Sequence, residues 1–273
     1  MSAMERKNES ASGTPGNSRN PLSPHHVPAA PGWPDLDGDA SALMRPPVGE
    51  QWMRILYPAR CVLCDVVMPH QAGLLVCDPC RCVLVPEAPG WHSCPEWPEI
   101  EAWYSPFPYA GGIEHAIRQM KYNGQPRHAG TLSFLLAEAI RGMESSPVFT
   151  GIVPVPMHRS KERARGYNQA MLLASGLGHW LEIPVYGQVV EKASRIHAQN
   201  GLTRQERFAV LQGSFMPVPG GEAPRQARIL LLDDVTTTGS TLRACASAIH
   251  AAYDGTGVQS GEVHIFAATI AFA

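Results

Sequence analysis

The chain has 273 residues, 44% hydrophobic and 17% charged, with a formal net charge of -2. That is enough apolar chain for one good core plus a small appendage, and too little charge imbalance for any global attraction to nucleic acid or acidic membranes. No run of about eighteen apolar residues occurs and the amino end lacks the apolar centre of a secretory signal, so a membrane span is not expected and the cytoplasm is the expected location.

Residues 1–50 are rich in Pro, Gly, Ser and Asn, without a sustained apolar period. Such a segment cannot bury enough surface to offset chain entropy, and it reads as a disordered leader. From Gln51 the character changes. Trp52, Ile55 and Leu56 make a short amphipathic turn, and two C-x-x-C knuckles follow, Cys61/Cys64 and Cys77/Cys80, with twelve residues between them. Four thiolates at this spacing match a closed tetrahedral zinc site whose work is folding rather than catalysis. A redox motif is the rival reading of a single C-x-x-C; the second pair and the lack of a preceding βαβ pattern favour zinc. Residues 51–85 are therefore read as a zinc-binding module. Cys82 and Cys94 are left outside the metal shell, since Cys94-Pro95-Glu96-Trp97 looks like a third knuckle with its last ligand replaced. Cys245 reads as a buried small hydrophobe.

Residues 86–110 form a Pro- and Trp-rich connector, expected to act as a hood, and 111–273 the main domain. Ile113, Ala116, Ile117 and Met120 recur at helical spacing, and a second helix is expected over His128–Met143. Strands are expected at 151–155, 184–190, 228–233 and 262–270, and helices at 167–181 and 240–252. Strands alternating with helices predict an α/β fold with a parallel sheet covered on both faces.

The strand Ile229–Leu232 runs into Asp233 and Asp234 and then a short loop, Val235-Thr236-Thr237-Thr238-Gly239-Ser240-Thr241. Ligands gather just past the carboxyl end of such a strand. The two acids can accept hydrogen bonds from vicinal hydroxyls. The loop hydroxyls supply donors for a phosphate, Gly239 lets the backbone approach an anion, and the following helix presents its amino end. The bland alternative is a core strand ending in an acidic helix cap. The metal-binding strand of a P-loop NTPase is a third reading, but it needs a Gly-Lys pair, and the chain has none.

This segment resembles the ribose-phosphate motif of type I phosphoribosyltransferases, which bind phosphoribosyl pyrophosphate (PRPP). The resemblance implies that Asp233 and Asp234 hold the ribose hydroxyls while Thr236, Thr237, Thr238, Gly239, Ser240 and Thr241 surround the 5-phosphate. Upstream, Val153-Pro154-Val155-Pro156 leads into a basic loop with Arg159, Lys161, Arg163 and Arg165. Alone, that loop reads equally well as a solvated helix start or as a seat for a pyrophosphate leaving group with its magnesium.

Arg165-Gly166-Tyr167-Asn168-Gln169-Ala170, together with the paired knuckles and the acidic motif, resembles the ComF family, phosphoribosyltransferase-like proteins associated with DNA uptake in naturally competent bacteria. Lys121-Tyr122 with Gly124, and Arg195, Gln199, Leu202, Arg204, Arg207 and Phe215, extend the likeness to roughly residues 51–271. The chain departs from that pattern at Trp97, and at Ala209 and Val210 where an asparagine is usual. The resemblance implies a type I phosphoribosyltransferase-like sheet with a small four-cysteine zinc module, PRPP and magnesium as ligands, and Asp233, Asp234 and Arg165 in the catalytic roles. Residues 192–213 read as a lid, in which His197 is more simply a surface residue than an acid or base. Transfer of phosphoribose to an unidentified acceptor is the first expectation. The alternatives are a module that holds single-stranded DNA for the competence machinery, through cations and stacked rings, and a PRPP-sensing regulator. The sequence leaves the oligomeric state open.

Overall fold

The computed structural model describes residues 58–68, 75–88, 90–193, 213–224, 227–254 and 262–273. The expected leader, the turn at Trp52, and the lid residues Arg195, His197, Gln199, Leu202, Arg204 and Arg207 lie outside them.

In chain order the elements are α1 (Asp78–Val83), β1 (Ala102–Tyr104), β2 (Phe107–Pro108), α2 (Gly111–Tyr122), α3 (His128–Arg141) and β3 (Gly151–Pro154). After these come α4 (Arg159–Arg165), α5 (Gln169–Leu181), β4 (Val190–Lys192), β5 (Phe215–Pro217), β6 (Ala227–Thr236), α6 (Ser240–Tyr253) and β7 (Val263–Phe272). The main sheet runs β1-β7-β6-β3, with β2 also pairing with β7, and every one of these pairings is parallel. This is the expected α/β architecture. Its centre is made by the two most continuous aliphatic runs, because a strand buried on both faces has no solvent side to fill with polar residues.

Alternation along β6 divides the core. Ile229 and Leu231 join one apolar cluster with α6 and with Trp97 and Ile100. Leu230 and Leu232 join the other, with α2, α3, α5 and the first knuckle. Helix α2 buries Ile113, Ala116, Ile117 and Met120, the stripe that its periodicity predicts. Its amino end meets the knuckle closely: a Cβ on Gly112 would stand 2.8 Å from Cβ of Leu63, so only glycine lets the two backbones approach.

Three segments differ from expectation. The strand expected at 184–190 is reduced to a single parallel bridge from Val185 to Ile152. Pro184 has no N–H to give, and the chain turns at Gly187 before β4 leaves the sheet to pair antiparallel with β5. Part of the connector is sheet, since β1 and β2 extend it alongside β7. The basic loop is in part helix: α4 opens at His158, whose Nδ1 accepts from the Ser160 backbone N–H at 3.1 Å, and closes on Gly166 at φ 88°.

Candidate functional site

Past the carboxyl ends of β3 and β6 lies a cleft of about 650 Å³. Asp233 and Thr241 line it together with Lys121, Lys161, Arg165 and Lys192. Four fixed cations thus face one carboxylate, an environment suited to a ligand carrying several negative charges.

The two acids sit within β6, not beyond it, so their side chains leave on opposite faces. Asp233 lies on the face of Ile229 and Leu231 and reaches the cleft. One of its oxygens accepts from the Asp234 backbone N–H at 2.9 Å. Burial and the neighbouring charge of Asp234 push its carboxyl up to about 7, against the pull of that hydrogen bond, Lys121 and Lys192. Asp234 is buried, and its Oδ1 lies 2.8 Å from Lys121 Nζ, delivered by the last turn of α2. Lys192, at the end of β4, has its pKa lowered mainly by burial and then by Lys161.

The loop after the acids enters α6 through Gly239, in the left-handed region at φ 70°. Thr236 is still strand and is buried, with its carbonyl accepting from Ala273 N–H. Thr237 and Thr238 are exposed, and the hydroxyls of Thr238 and Ser240 are 2.8 Å apart. The indole of Trp97 covers this loop so closely that a Cβ on Gly239 would fall 2.0 Å from its ring. The same connector is tied to α6 by two Arg243–Glu99 hydrogen bonds, at 2.9 and 3.2 Å. In sequence, Trp97 reads only as a lost ligand. Its contact with Gly239, far away along the chain, leaves no local signal.

Each residue of the Arg165–Gln169 motif has a structural task. Arg165 donates to Gln169 Oε1 at 2.5 Å and lies over the Tyr122 ring at 5.5 Å. The Tyr167 hydroxyl donates to the Met120 carbonyl at 2.5 Å. Asn168 caps α5 by accepting from Ala170 N–H and also donates to Val155 O, tying the helix start to the strand exit.

The four knuckle cysteines converge, their sulfurs all within 4.8 Å of one another. A tetrahedral set of Zn–S bonds of about 2.3 Å would separate sulfurs by about 3.8 Å. Cys64 and Cys77 sulfurs stand 3.6 Å apart, so the donor set fits such an ion. Cys77 N–H also donates to Cys61 Sγ at 3.4 Å, the kind of contact that stabilises a thiolate. Cys82 and Cys94 are outside the cluster, and Cys245 is buried in α6. No described helix is long and apolar enough to cross a membrane.

No protein-family model matches the chain. Competence protein F of Haemophilus influenzae is 36% identical over 138 residues, covering 49% of this chain and 60% of that protein. DNA utilization protein YhgH of Salmonella typhimurium is 27% identical over 198 residues, 69% of this chain and 80% of that one. The chain is similar to these competence and DNA utilization proteins, spanning less than two thirds of the first of them. Like the Haemophilus protein, the Escherichia coli YhgH protein is matched over less than two thirds of its length, 61%, at 30% identity. Among solved structures, adenine phosphoribosyltransferase from Leishmania tarentolae aligns with 53% of this chain and 71% of its own, at 15% identity and a TM-score of 0.30. A score that low carries no argument, and the description of the fold rests on the chain's own strand order.

Proposed function

We propose that this chain, which resembles the ComF family, binds PRPP with magnesium in the cleft at the end of β6 and transfers its phosphoribosyl group to an acceptor. The observation that carries the reading is the cleft itself, lined by a carboxylate at a strand end, by Thr241 in the first turn of α6 and by four basic side chains. In this reading the acid pair serves the ribose hydroxyls, with Asp233 reaching them from the cleft. Thr237, Thr238, Ser240 and Thr241, with the first N–H groups of α6, receive the 5-phosphate. Arg165, Lys161 and Lys192 neutralise the charge that grows on departing pyrophosphate as the anomeric bond lengthens. Magnesium would be held mostly by the ligand and water, as suits a hard octahedral ion. The four cysteines would hold zinc as a folding element.

Pyrophosphate release from PRPP and magnesium, measured over a panel of nucleobase and amine acceptors, tests transfer. Turnover that disappears in Asp233→Asn supports it; PRPP binding with no release under any acceptor leaves a sensor in place of an enzyme. A second reading has its own observation: Arg159, Lys161 and Arg163 are exposed along α4 beside the cleft. There the chain holds single-stranded DNA for uptake, which predicts oligonucleotide binding that weakens steeply with salt and persists without PRPP.

A further inference from the structure

We propose that Lys121 is a positioning residue for the acid pair: it clamps Asp234 on the α2 face of the sheet and leaves Asp233 as the carboxylate that meets the ligand from the cleft. The inference deepens the PRPP reading and rests on it for the ligand alone; the division of labour between the two acids stands on the geometry of the protein itself.

Consecutive residues of a strand point to opposite faces, so the acids cannot approach a ligand in the same way. Asp233 lines the cleft. Asp234 is 4% exposed, with Oδ1 on Lys121 at 2.8 Å and a buried Oδ2 that has no hydrogen-bond partner. A buried carboxylate whose cation is taken away becomes an uncompensated charge, and here it would lie next to a second acid. Lys121 is therefore what allows two adjacent acids at the end of one strand.

The lysine is itself held in place. Helix α2 is seated at its amino end by the Gly112–Leu63 approach, and by His115, whose Nε2 lies 3.0 Å from the carboxylate of Asp65 in the first knuckle. Its buried stripe ends at Met120, whose carbonyl receives the Tyr167 hydroxyl. Lys121 follows in the last helical turn, where a cation also suits the helix dipole. Side-chain exposure of 18% for Lys121 and 5% for Asp234 keeps water from screening the pair. The groups that act on Asp233 come from four elements: Asp234 on its own strand, Lys121 from α2, Lys192 from β4 and Cys245 from α6.

The test is a carbon-13 carboxyl titration of Asp233 in the ligand-free protein, assigned with Asp233→Asn, for the native chain, Lys121→Met and Lys121→Arg. The native midpoint lies near neutrality. Loss of the ammonium moves it up by roughly one unit or more, and arginine brings it back. Lys121→Gln, which keeps a donor for Asp234, replaces the methionine variant if that one does not fold. An Asp233 midpoint unchanged in the neutral variants overturns the proposal, and so does a lowered melting temperature with no change in that midpoint, the mark of packing alone. In parallel, PRPP-magnesium affinity of Lys121→Met falls about fivefold or more at pH 7 and recovers at pH 9, because the ligand needs ionised Asp233. Native protein that shows the Lys121-dependent shift yet binds no PRPP retains this inference and removes the PRPP reading.

Discussion

The four-cysteine knuckles and the basic cleft are built by opposite strategies. All four thiols come from twenty residues of chain, and their spacing alone brings the sulfurs within 4.8 Å. The cleft draws Lys121 from α2, Arg165 from α4, Lys192 from β4 and Asp233 from β6, groups that meet only when the sheet has formed. The first region is set by a local sequence pattern; the second is a product of topology. Disturbing one should damage folding, and disturbing the other should damage binding.

The largest expected effect lies on the knuckle side. Treatment with a metal chelator, or Cys61→Ala, should lower the melting temperature by about 5 °C or more, roughly 3 kcal/mol at this chain length, because Cys61, Val62 and Leu63 are part of the core that seats α2. Differential scanning calorimetry with metal analysis checks this, and verified metal loss with an unchanged melting curve would break the contrast.

Gly239→Ala comes next. It combines a left-handed backbone with a Cβ forced into the Trp97 ring, and should cost about 2 kcal/mol in denaturant unfolding. Trp97→Ala in the same chain should recover part of that loss by removing the steric half of the penalty. Additive losses in the double variant would show that Trp97 does not press on the loop.

A smaller effect follows from pH. The Asp233 carboxyl is raised above the ordinary value of about 3.9, so the folded state favours its protonated form. Its contribution to stability is complete below about pH 4 and is lost as pH rises through about 7. Asp233→Asn should flatten stability across that window and raise the melting temperature at pH 8 by about 2–4 °C. A variant that remains as pH-sensitive as the native chain would remove Asp233 from the account of the buried charge.

The sequence was most legible where neighbours in space are neighbours in the chain. The α2 stripe, the aliphatic runs of β6 and β7 and the cysteine spacing all carry short-range periodicity or pattern. The basic stretch after Pro156 was legible as charge, but its helix depends on capping by the His158 side chain, a residue seldom counted among N-caps. Residues 184–190 look like a strand by composition, and Pro184 with the turn at Gly187 confines the pairing to Val185. Least legible were the contacts that cross the fold. The resemblance to the ComF family drew attention to Lys121 without naming Asp234 as its partner, and nothing near Trp97 in sequence points to Gly239.

The most direct test of the central claim is a calorimetric titration of PRPP with magnesium into the native chain and into Asp233→Asn, with circular dichroism confirming that both are folded. A saturable one-site isotherm in the native chain that weakens by about a hundredfold or more in the variant is the predicted result. Equal heats from both proteins, or no binding by the native chain, would contradict it.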